Sequence, residues 1–216
     1  MRKCLFIFAA MGLGFVSQAG SVSYTNNIPE TLTDWTNTVA LTQFNPTLGV
    51  LASVQISVQS DLDTTLTVQN VSPSSSSGSA ITQLKQYLQT GSFGFFANSP
   101  VLDYASPEFD YTLPSNGKLV SDNLQSSFVA TSPALMDDST LTAFTGTGLV
   151  DFTTYTSTRS FLSNSGGNTG AKQVTSSDLQ AVVIYSFNPY PVPEPSVVAL
   201  GGFGLAALAF VRRPRK

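Results

Sequence analysis

Apolar and polar residues alternate at every second position through much of the middle of the chain. Residues 54–58 read Val-Gln-Ile-Ser-Val, and this period of two places the apolar side chains on one face of a β-strand. Residues 66–68, Leu-Thr-Val, resume the alternation after Asp61-Leu62-Asp63. The pattern therefore predicts a hairpin over residues 50–70 that turns at these two acids.

The alternation is longest near the end of this middle region. Apolar side chains occupy every second position from Leu179 to Phe187, and Val182 and Ile184 add apolar residues between them. A strand that is apolar on both faces is covered on both sides, so we expect it to be central in its sheet. The abundance of β-branched and aromatic residues is also typical of sheets. The predicted fold class is all-β, an antiparallel β-sandwich with at most one short helix.

One segment leaves a helix open as an alternative. Ile81, Leu84, Tyr87 and Leu88 have the spacing of one helical face. The clearest predicted loops are rich in Gly, Pro, Asn and Ser, and they cover residues 45–49, 72–79 and 164–170.

The N-terminus has the three parts of a secretory signal peptide. Arg2 and Lys3 precede an apolar run from Cys4 to Val16, and Ser17-Gln18-Ala19 follows it. This order predicts a signal peptide over residues 1–19, cleaved between Ala19 and Gly20. A buried N-terminal helix is the alternative. Because Cys4 is the chain's one cysteine, the mature chain would contain no disulfide.

The C-terminus combines a proline-rich segment, a short apolar run and a basic tail. The apolar run covers residues 197–211, and as a helix it would extend about 22 Å, whereas the hydrocarbon core of a bilayer is about 30 Å thick. It is therefore marginal as a permanent anchor, although the basic tail would stop its transfer across the membrane. A simple C-terminal transmembrane helix is the alternative. The predicted stop-transfer residues are Arg212, Arg213, Arg215 and Lys216.

This C-terminus resembles the PEP-CTERM sorting signal of Gram-negative bacteria. The resemblance rests on the predicted motif Val192, Pro193, Glu194 and Pro195, followed by the membrane segment and the arginine-rich end. It implies that an exosortase, a membrane-embedded transpeptidase-like enzyme, cuts the chain near this motif. The predicted organisation is a signal peptide at 1–19, a β-sandwich domain at 20–190 and a sorting signal at 191–216. The protein would be exported and held transiently in the inner membrane.

The middle domain resembles the choice-of-anchor E family. The resemblance is carried by Trp35, by the stretch from Phe44 to Leu51, which reads Phe-Asn-Pro-Thr-Leu-Gly-Val-Leu, and by residues 141–148. Asn45 and Val50 stand where the family usually has Asp and Thr. The resemblance implies a surface domain and supplies no catalytic or binding residue. In the turn itself, Asn45 is expected to bond the backbone after it and Gly49 to adopt a positive φ, while Phe44 and Leu48 anchor the turn to the core.

The charge and the composition exclude several classes of partner and of catalytic site. Residues 20–190 contain four basic and twelve acidic residues, so the mature domain has a net charge near −8 and nucleic acid is excluded as a partner. The chain has no histidine, which removes the usual catalytic triads and most zinc sites. We predict a protein that is not an enzyme, with no catalytic residue, metal or cofactor.

Some alternatives remain open for the acidic and aromatic residues. Glu30, Glu108 and the aspartates are the candidate carboxylates of a glycosidase. The pairs Asp61/Asp63, Glu108/Asp110 and Asp137/Asp138 are either calcium ligands or solvated turns, and the second reading is favoured. A group of aromatic residues forms either a sugar-stacking platform or an ordinary core: Phe93, Phe95 and Phe96, with Tyr87, Tyr104 and Tyr111 nearby. The assignment to the core is favoured for these rings, and also for Trp35.

The sequence thus predicts an exported, exosortase-processed protein of the cell surface or extracellular matrix. Its expected role is structural or adhesive, in association with exopolysaccharide and biofilm. A carbohydrate-binding module of the cell surface is the alternative.

Overall fold

A computed structural model describes residues 19–89, 91 and 93–191. Within them two five-stranded sheets pack face to face, and every pairing between strands is antiparallel. The predicted antiparallel β-sandwich is confirmed. The predicted signal peptide up to residue 18, the motif residues 192–195, the apolar segment 197–211 and the basic tail lie outside the described residues. Across the described ranges, no helix has the length and apolarity needed to span a bilayer.

The first sheet is built around two very long strands. Its strands are β1 Gly20–Leu32, β3 Gly49–Asn70, β7 Lys118–Val120, β8 Leu124–Thr131 and β10 Thr169–Pro189. β10 lies between β1 and β3, which confirms the prediction that the C-terminal strand is central. The short strands β7 and β8 share the other edge of β3.

The second sheet repeats this plan. Its strands are β2 Thr36–Thr42, β4 Ser76–Gln89, β5 Leu102–Ala105, β6 Phe109–Leu113 and β9 Leu149–Ser165. Their order is β2, β9 and β4, and the short strands β5 and β6 share the outer edge of β4. Among the described residues the one α-helix, α1 (Asp138–Phe144), connects β8 to β9.

The predicted hairpin over residues 50–70 is wrong, because β3 runs unbroken through the two acids. Ser60, Leu62 and Thr64 all point into the sandwich, so the alternation keeps its phase across the supposed turn. Asp61 and Asp63 occupy the outer face, where a carboxylate can remain solvated without ending the strand. The result is one strand of 22 residues.

The alternative of a helix over residues 81–88 is also wrong. The segment belongs to β4, in which Leu84 and Leu88 face the core while Ile81 and Tyr87 face outward. The four residues that have helical spacing therefore lie on both faces of the strand. On the outer face the Tyr87 ring stacks on Tyr155 of β9, with ring centroids 4.5 Å apart, which is a stabilising cross-strand pair. β4 also begins at Ser76, inside the predicted loop 72–79.

The predicted turn at residues 45–49 is present as a 3-10 turn, Pro46–Leu48. The Asn45 side chain accepts a hydrogen bond from the Thr47 amide at 3.0 Å, as expected. Gly49 has φ 153°, and a Cβ there would lie 2.2 Å from the Asn188 carbonyl oxygen, so only glycine fits. Phe44 is fully buried. The expectation for Leu48 is wrong, because its side chain is 41% exposed.

A layer of polar side chains divides the interior into two apolar clusters. The larger cluster contains the buried rings of Phe44, Phe95, Phe144 and Tyr185. The smaller cluster consists of Leu66, Val68, Ala80, Tyr111 and Leu113. Between them the hydroxyl of Thr64 is hydrogen-bonded to those of Thr82 and Thr175, at 3.2 Å and 2.7 Å. All three threonines are buried, so the layer satisfies its own polar groups.

Candidate functional site

Both ends of the domain leave from the same end of the first sheet. β1 starts beside the point where β10 finishes, because Gly20 pairs with Phe187 and Pro189 pairs with Gly49. We call this the terminal end; it comprises residues 19–22, 43–50, 144–150 and 187–191. The opposite end, with the connections at residues 71–75, 114–117 and 166–168, is the distal end. The predicted signal cleavage and sorting sites thus flank one end of a single sheet.

The predicted signal cleavage site lies where β1 begins. Ala19 is exposed and precedes the strand, and Gly20 is its first residue. A Cβ on Gly20 would lie 2.5 Å from the Phe187 ring, so this glycine allows the Phe187 side chain of the central strand to pack closely on the start of β1. Cleavage between Ala19 and Gly20 stays a prediction.

The sorting motif follows the last strand almost directly. β10 ends at Pro189, and Tyr190 and Pro191 are exposed beyond it. Val192, Pro193, Glu194 and Pro195 come next in the sequence and lie outside the described residues. The spacer between the fold and the predicted motif is therefore only Tyr190 and Pro191.

Residues 40–50, 144–150 and 186–191 at the terminal end contain no charged residue. Asp137 and Asp138 of the connection from β8 to β9 lie at the other end of α1. Gln43 joins two of the connections at the terminal end, because its amide nitrogen donates to the Ala143 carbonyl and its Oε1 accepts from the Gly148 amide at 2.9 Å. The Phe44 amide also donates to the Phe144 carbonyl at 2.7 Å. These bonds hold the connections together as one surface.

The rings considered as a sugar platform are mostly core. Phe95 is fully buried, and its ring contacts those of Phe93, Phe144 and Phe152 with centroids 5.5–6.4 Å apart. Phe93 and Phe96 are partly buried against the same cluster. Such edge-to-face packing is the usual arrangement of a core built from rings. The reading of residues 93–96 as core is confirmed for Phe95.

Tyr104 and Tyr111 are buried as well, in separate places. The Tyr104 hydroxyl donates to the Ser60 carbonyl at 2.9 Å, and burial raises the pKa of Tyr104 to about 12. The Tyr111 hydroxyl donates to the Ser163 carbonyl at 3.1 Å. A shared exposed platform from Phe93 to Tyr111 is therefore wrong. Trp35 is partly buried against the larger cluster, and its indole nitrogen is buried without a hydrogen-bond partner.

Four carboxylates gather on the outer face of the first sheet. Glu30, Asp61, Asp63 and Asp178 line an open cavity of about 410 Å³ together with Gln125, Ser126 and Ser127. The Asp61 amide donates to Asp178 Oδ1 at 2.7 Å. Burial is the main cause that raises the pKa of Asp178, and the charges of Asp61 and Glu30 add to it.

The sequence analysis singled out the Asp61/Asp63 pair and Glu30 but included Asp178 only among the aspartates in general, because Asp178 joins the others through the pairing of β3 with β10. Of the other acidic pairs, Asp137 caps α1, where hydrogen bonds from Ser139 and Thr140 lower its pKa to about 2. Asp137 is therefore a helix-capping residue, where the sequence had left a calcium ligand as an alternative. In the part of the chain that is described, no group of three or more acidic, His or Cys side chains is arranged to hold a metal ion.

A second groove lies at the distal end, and sequence reasoning did not find it. It has a volume of about 470 Å³ and is lined by Lys118, Lys172, Thr67, Gln69 and Asn168, among others. Pairing across β3 creates it, because Lys118 lies beside Gln69 and Lys172 lies beside Thr67. Both lysines are exposed. By contrast, Lys85 is paired with Asp103 at 3.6 Å.

Comparison with known proteins identifies the C-terminus. Residues 191–216 match the PEP-CTERM protein-sorting motif, and no curated protein matches the chain. A β-sandwich that ends in this motif defines a class: an exported protein that an exosortase sorts to the cell surface. The C-terminal motif therefore marks this chain as an exosortase substrate with a C-terminal anchor region.

Several solved viral structures are similar at low identity. One titled Desmodium yellow mottle tymovirus is 8% identical, with 90% of this chain and 95% of that chain covered and a TM-score of 0.21. Structures of infectious bursal disease virus, Gx and Gt strains, are 8% and 14% identical, with TM-scores of 0.15 and 0.10. They cover 88% and 92% of this chain, which spans 47% and 52% of theirs. Nothing about function follows from these likenesses.

Proposed function

We propose that the mature domain is a non-enzymatic structural or adhesive protein of the exopolysaccharide and biofilm matrix of a Gram-negative bacterium. The observation that carries this proposal is the position of the sorting motif, which begins just after the last residue of a central strand. A cut in the motif would leave all ten strands intact. The product would be one folded sandwich displayed at, or released from, the cell surface.

The surface chemistry of the sandwich supports this role. Many outward residues of the strands carry hydroxyl or amide groups, as in β3, where they include Gln55, Ser57, Gln59, Thr65, Thr67 and Gln69. Hydroxyl and amide groups form hydrogen bonds with sugar hydroxyls without strong charge attraction. We also propose that residues 20–190 are a choice-of-anchor E type domain, on the strength of the turn that begins at Phe44.

Processing can be tested with one substitution and a matched control. Glu194→Ala should leave a membrane-bound precursor, because the motif that the exosortase recognises is altered. Glu108→Ala, which changes an exposed glutamate within the domain, should be processed at the normal rate. The measurement is a pulse-chase followed by separation of membrane and medium. Normal maturation of the Glu194→Ala chain would reject the sorting proposal.

The matrix role needs its own test. Deleting the gene should weaken cohesion of the biofilm, and the processed protein should co-purify with the organism's own polysaccharide. A matrix that forms with unchanged cohesion and contains none of the protein would reject this role while leaving the sorting proposal in place.

The distal groove favours a second candidate, a carbohydrate-binding module for anionic polysaccharide. Two exposed lysines flank amide and hydroxyl groups there, on a domain whose net charge is otherwise strongly negative. Lys118→Gln with Lys172→Gln should weaken binding to polygalacturonate, and added salt should do the same. Lys85→Gln is the control, since Lys85 is already paired. Equal binding by both variants would reject the groove as the site.

A further inference from the structure

The terminal end must lie close to the membrane while the sorting tail is still attached. Seven residues, 190–196, separate the last strand from the apolar run, and they reach at most about 25 Å when extended. β3 alone has 22 residues, which corresponds to about 70 Å. The spacer is therefore much shorter than the sandwich, and only the terminal end is confined to the neighbourhood of the bilayer.

This end exposes apolar side chains where a soluble domain would ordinarily be polar. Leu48, Val50, Leu149 and Tyr190 are 41%, 58%, 61% and 52% exposed. Val50 pairs with Asn188 at the end of the first sheet, and Leu149 pairs with Thr42 at the same end of the second sheet, so the four residues are spread around the terminal end. Leu48 lies in the turn between the two sheets. We call these four residues the terminal rim.

The chemistry of the rim fits the interface of a lipid bilayer. Its apolar groups can enter the boundary between headgroups and acyl chains, and tyrosine is enriched at that depth. The surrounding connections are uncharged and carry amides and hydroxyls, such as Asn45 and Thr47, which can bond lipid headgroups. The flank of the first sheet carries the four carboxylates of the acidic cavity and would be repelled by anionic lipid.

We propose that the terminal rim docks on the bilayer before processing and holds the domain upright, with the sorting motif at the membrane surface. This inference rests on the proposed sorting function, because the tail brings the rim to the lipid. The occupant of the rim is the lipid surface, and the contact ends when the tail is removed.

The test places one fluorescent label at a time on the full chain. In a Cys4→Ser background, Leu149→Cys reports the rim, Asn168→Cys reports the distal end, and Leu208→Cys reports the tail. The labelled chains are reconstituted in vesicles of phosphatidylethanolamine and phosphatidylglycerol, with and without nitroxide-labelled lipid. The label at 149 should shift to shorter wavelength and be quenched by the nitroxide lipid, whereas the label at 168 should show neither effect.

Each other outcome has a distinct meaning. Quenching at 208 without quenching at 149 would overturn the rim contact and leave the sorting proposal standing. No quenching at either position would overturn both. Self-quenching at 149 in vesicles without nitroxide would place a second copy of the chain on the rim, and would also overturn lipid as the occupant.

A substitution test adds a matched control. Leu48→Ser combined with Val50→Ser and Leu149→Ser should slow the conversion of precursor to mature protein in a pulse-chase. Val174→Ser is the control, because Val174 is 65% exposed on β10 away from the rim. Unchanged conversion of the triple variant, or equal slowing by the control, would contradict the proposal.

Discussion

The two ends of this sandwich differ in almost every physical respect. The terminal end has uncharged connections, exposed apolar residues and the larger, ring-rich cluster beneath them. The distal end has two exposed lysines, tight polar turns and the smaller cluster. The polar threonine layer separates the two. The difference agrees with our proposals that the terminal end docks on the membrane during sorting and that the distal end faces the matrix.

The largest expected effect is the loss of a ring from the terminal cluster. Phe144 is fully buried, and its ring contacts those of Phe93, Phe95, Phe152 and Tyr185. Phe144→Ala should lower the free energy of unfolding by about 4 kcal/mol, because it opens a cavity among rigid rings. Urea unfolding of the processed protein recovered from outside cells measures this.

The control for Phe144 is another phenylalanine on the outside of the sheet. Phe161 is 42% exposed and lies under the Arg159 guanidinium at 5.1 Å. Phe161→Ala should therefore cost no more than about 1 kcal/mol. Similar losses at both positions would show that the ring cluster is not the main source of stability.

The distal cluster should give a smaller loss. Leu66 is fully buried but belongs to a cluster of only five buried residues, so the surroundings can relax more. Leu66→Ala should cost about 2–3 kcal/mol, near the lower end of the range for such changes. A loss as large as that for Phe144→Ala would contradict the unequal division of the core.

The polar layer should contribute less again. Thr64→Val leaves the hydroxyls of Thr82 and Thr175 without their shared partner, and should cost about 1–2 kcal/mol. Thr65→Val, on the outer face of the same strand, should be nearly neutral. If Thr64→Val were neutral as well, the hydrogen bonds of the threonine layer would make no contribution to the free energy of unfolding.

The smallest effect concerns the acidic cavity on the flank. The pKa of Asp178 is raised in the folded protein, so its contribution favours folding below its unfolded pKa of about 4 and is lost as pH rises through the folded pKa. Asp178→Asn keeps an oxygen to accept the Asp61 amide and removes the repulsion. It should slightly stabilise the protein at neutral pH and have no such benefit near pH 3.

Asp122→Asn is the control for this prediction, since Asp122 is exposed and lies outside the cavity. A stabilisation from Asp178→Asn that is the same at neutral and acid pH would show that charge repulsion is not its cause.

The class of fold and the C-terminal sorting motif could be predicted from the sequence, because both depend on local pattern. The alternation over 179–187 and the turn at Asn45 could be predicted since neighbours in sequence decide them. The single strand over residues 49–70 could not be predicted, because Asp61 and Asp63 suggested a turn. Only the pairing in the sheet shows that these two aspartates lie on the solvated face of one strand. The meeting of Asp178 with Asp61, and of Lys118 with Lys172, depends on pairing between distant strands. The exposure of Leu48 could not be predicted either, because it depends on the position of the turn that connects a strand of one sheet to a strand of the other.

Export and processing at both ends can be measured together by the intact mass of the protein recovered outside the cell. We expect a single species that begins at Gly20 and ends near Pro195, with the folded sandwich whole and both flanking signals removed. A species that retains residues 1–19 or the segment 197–216 would contradict this expectation.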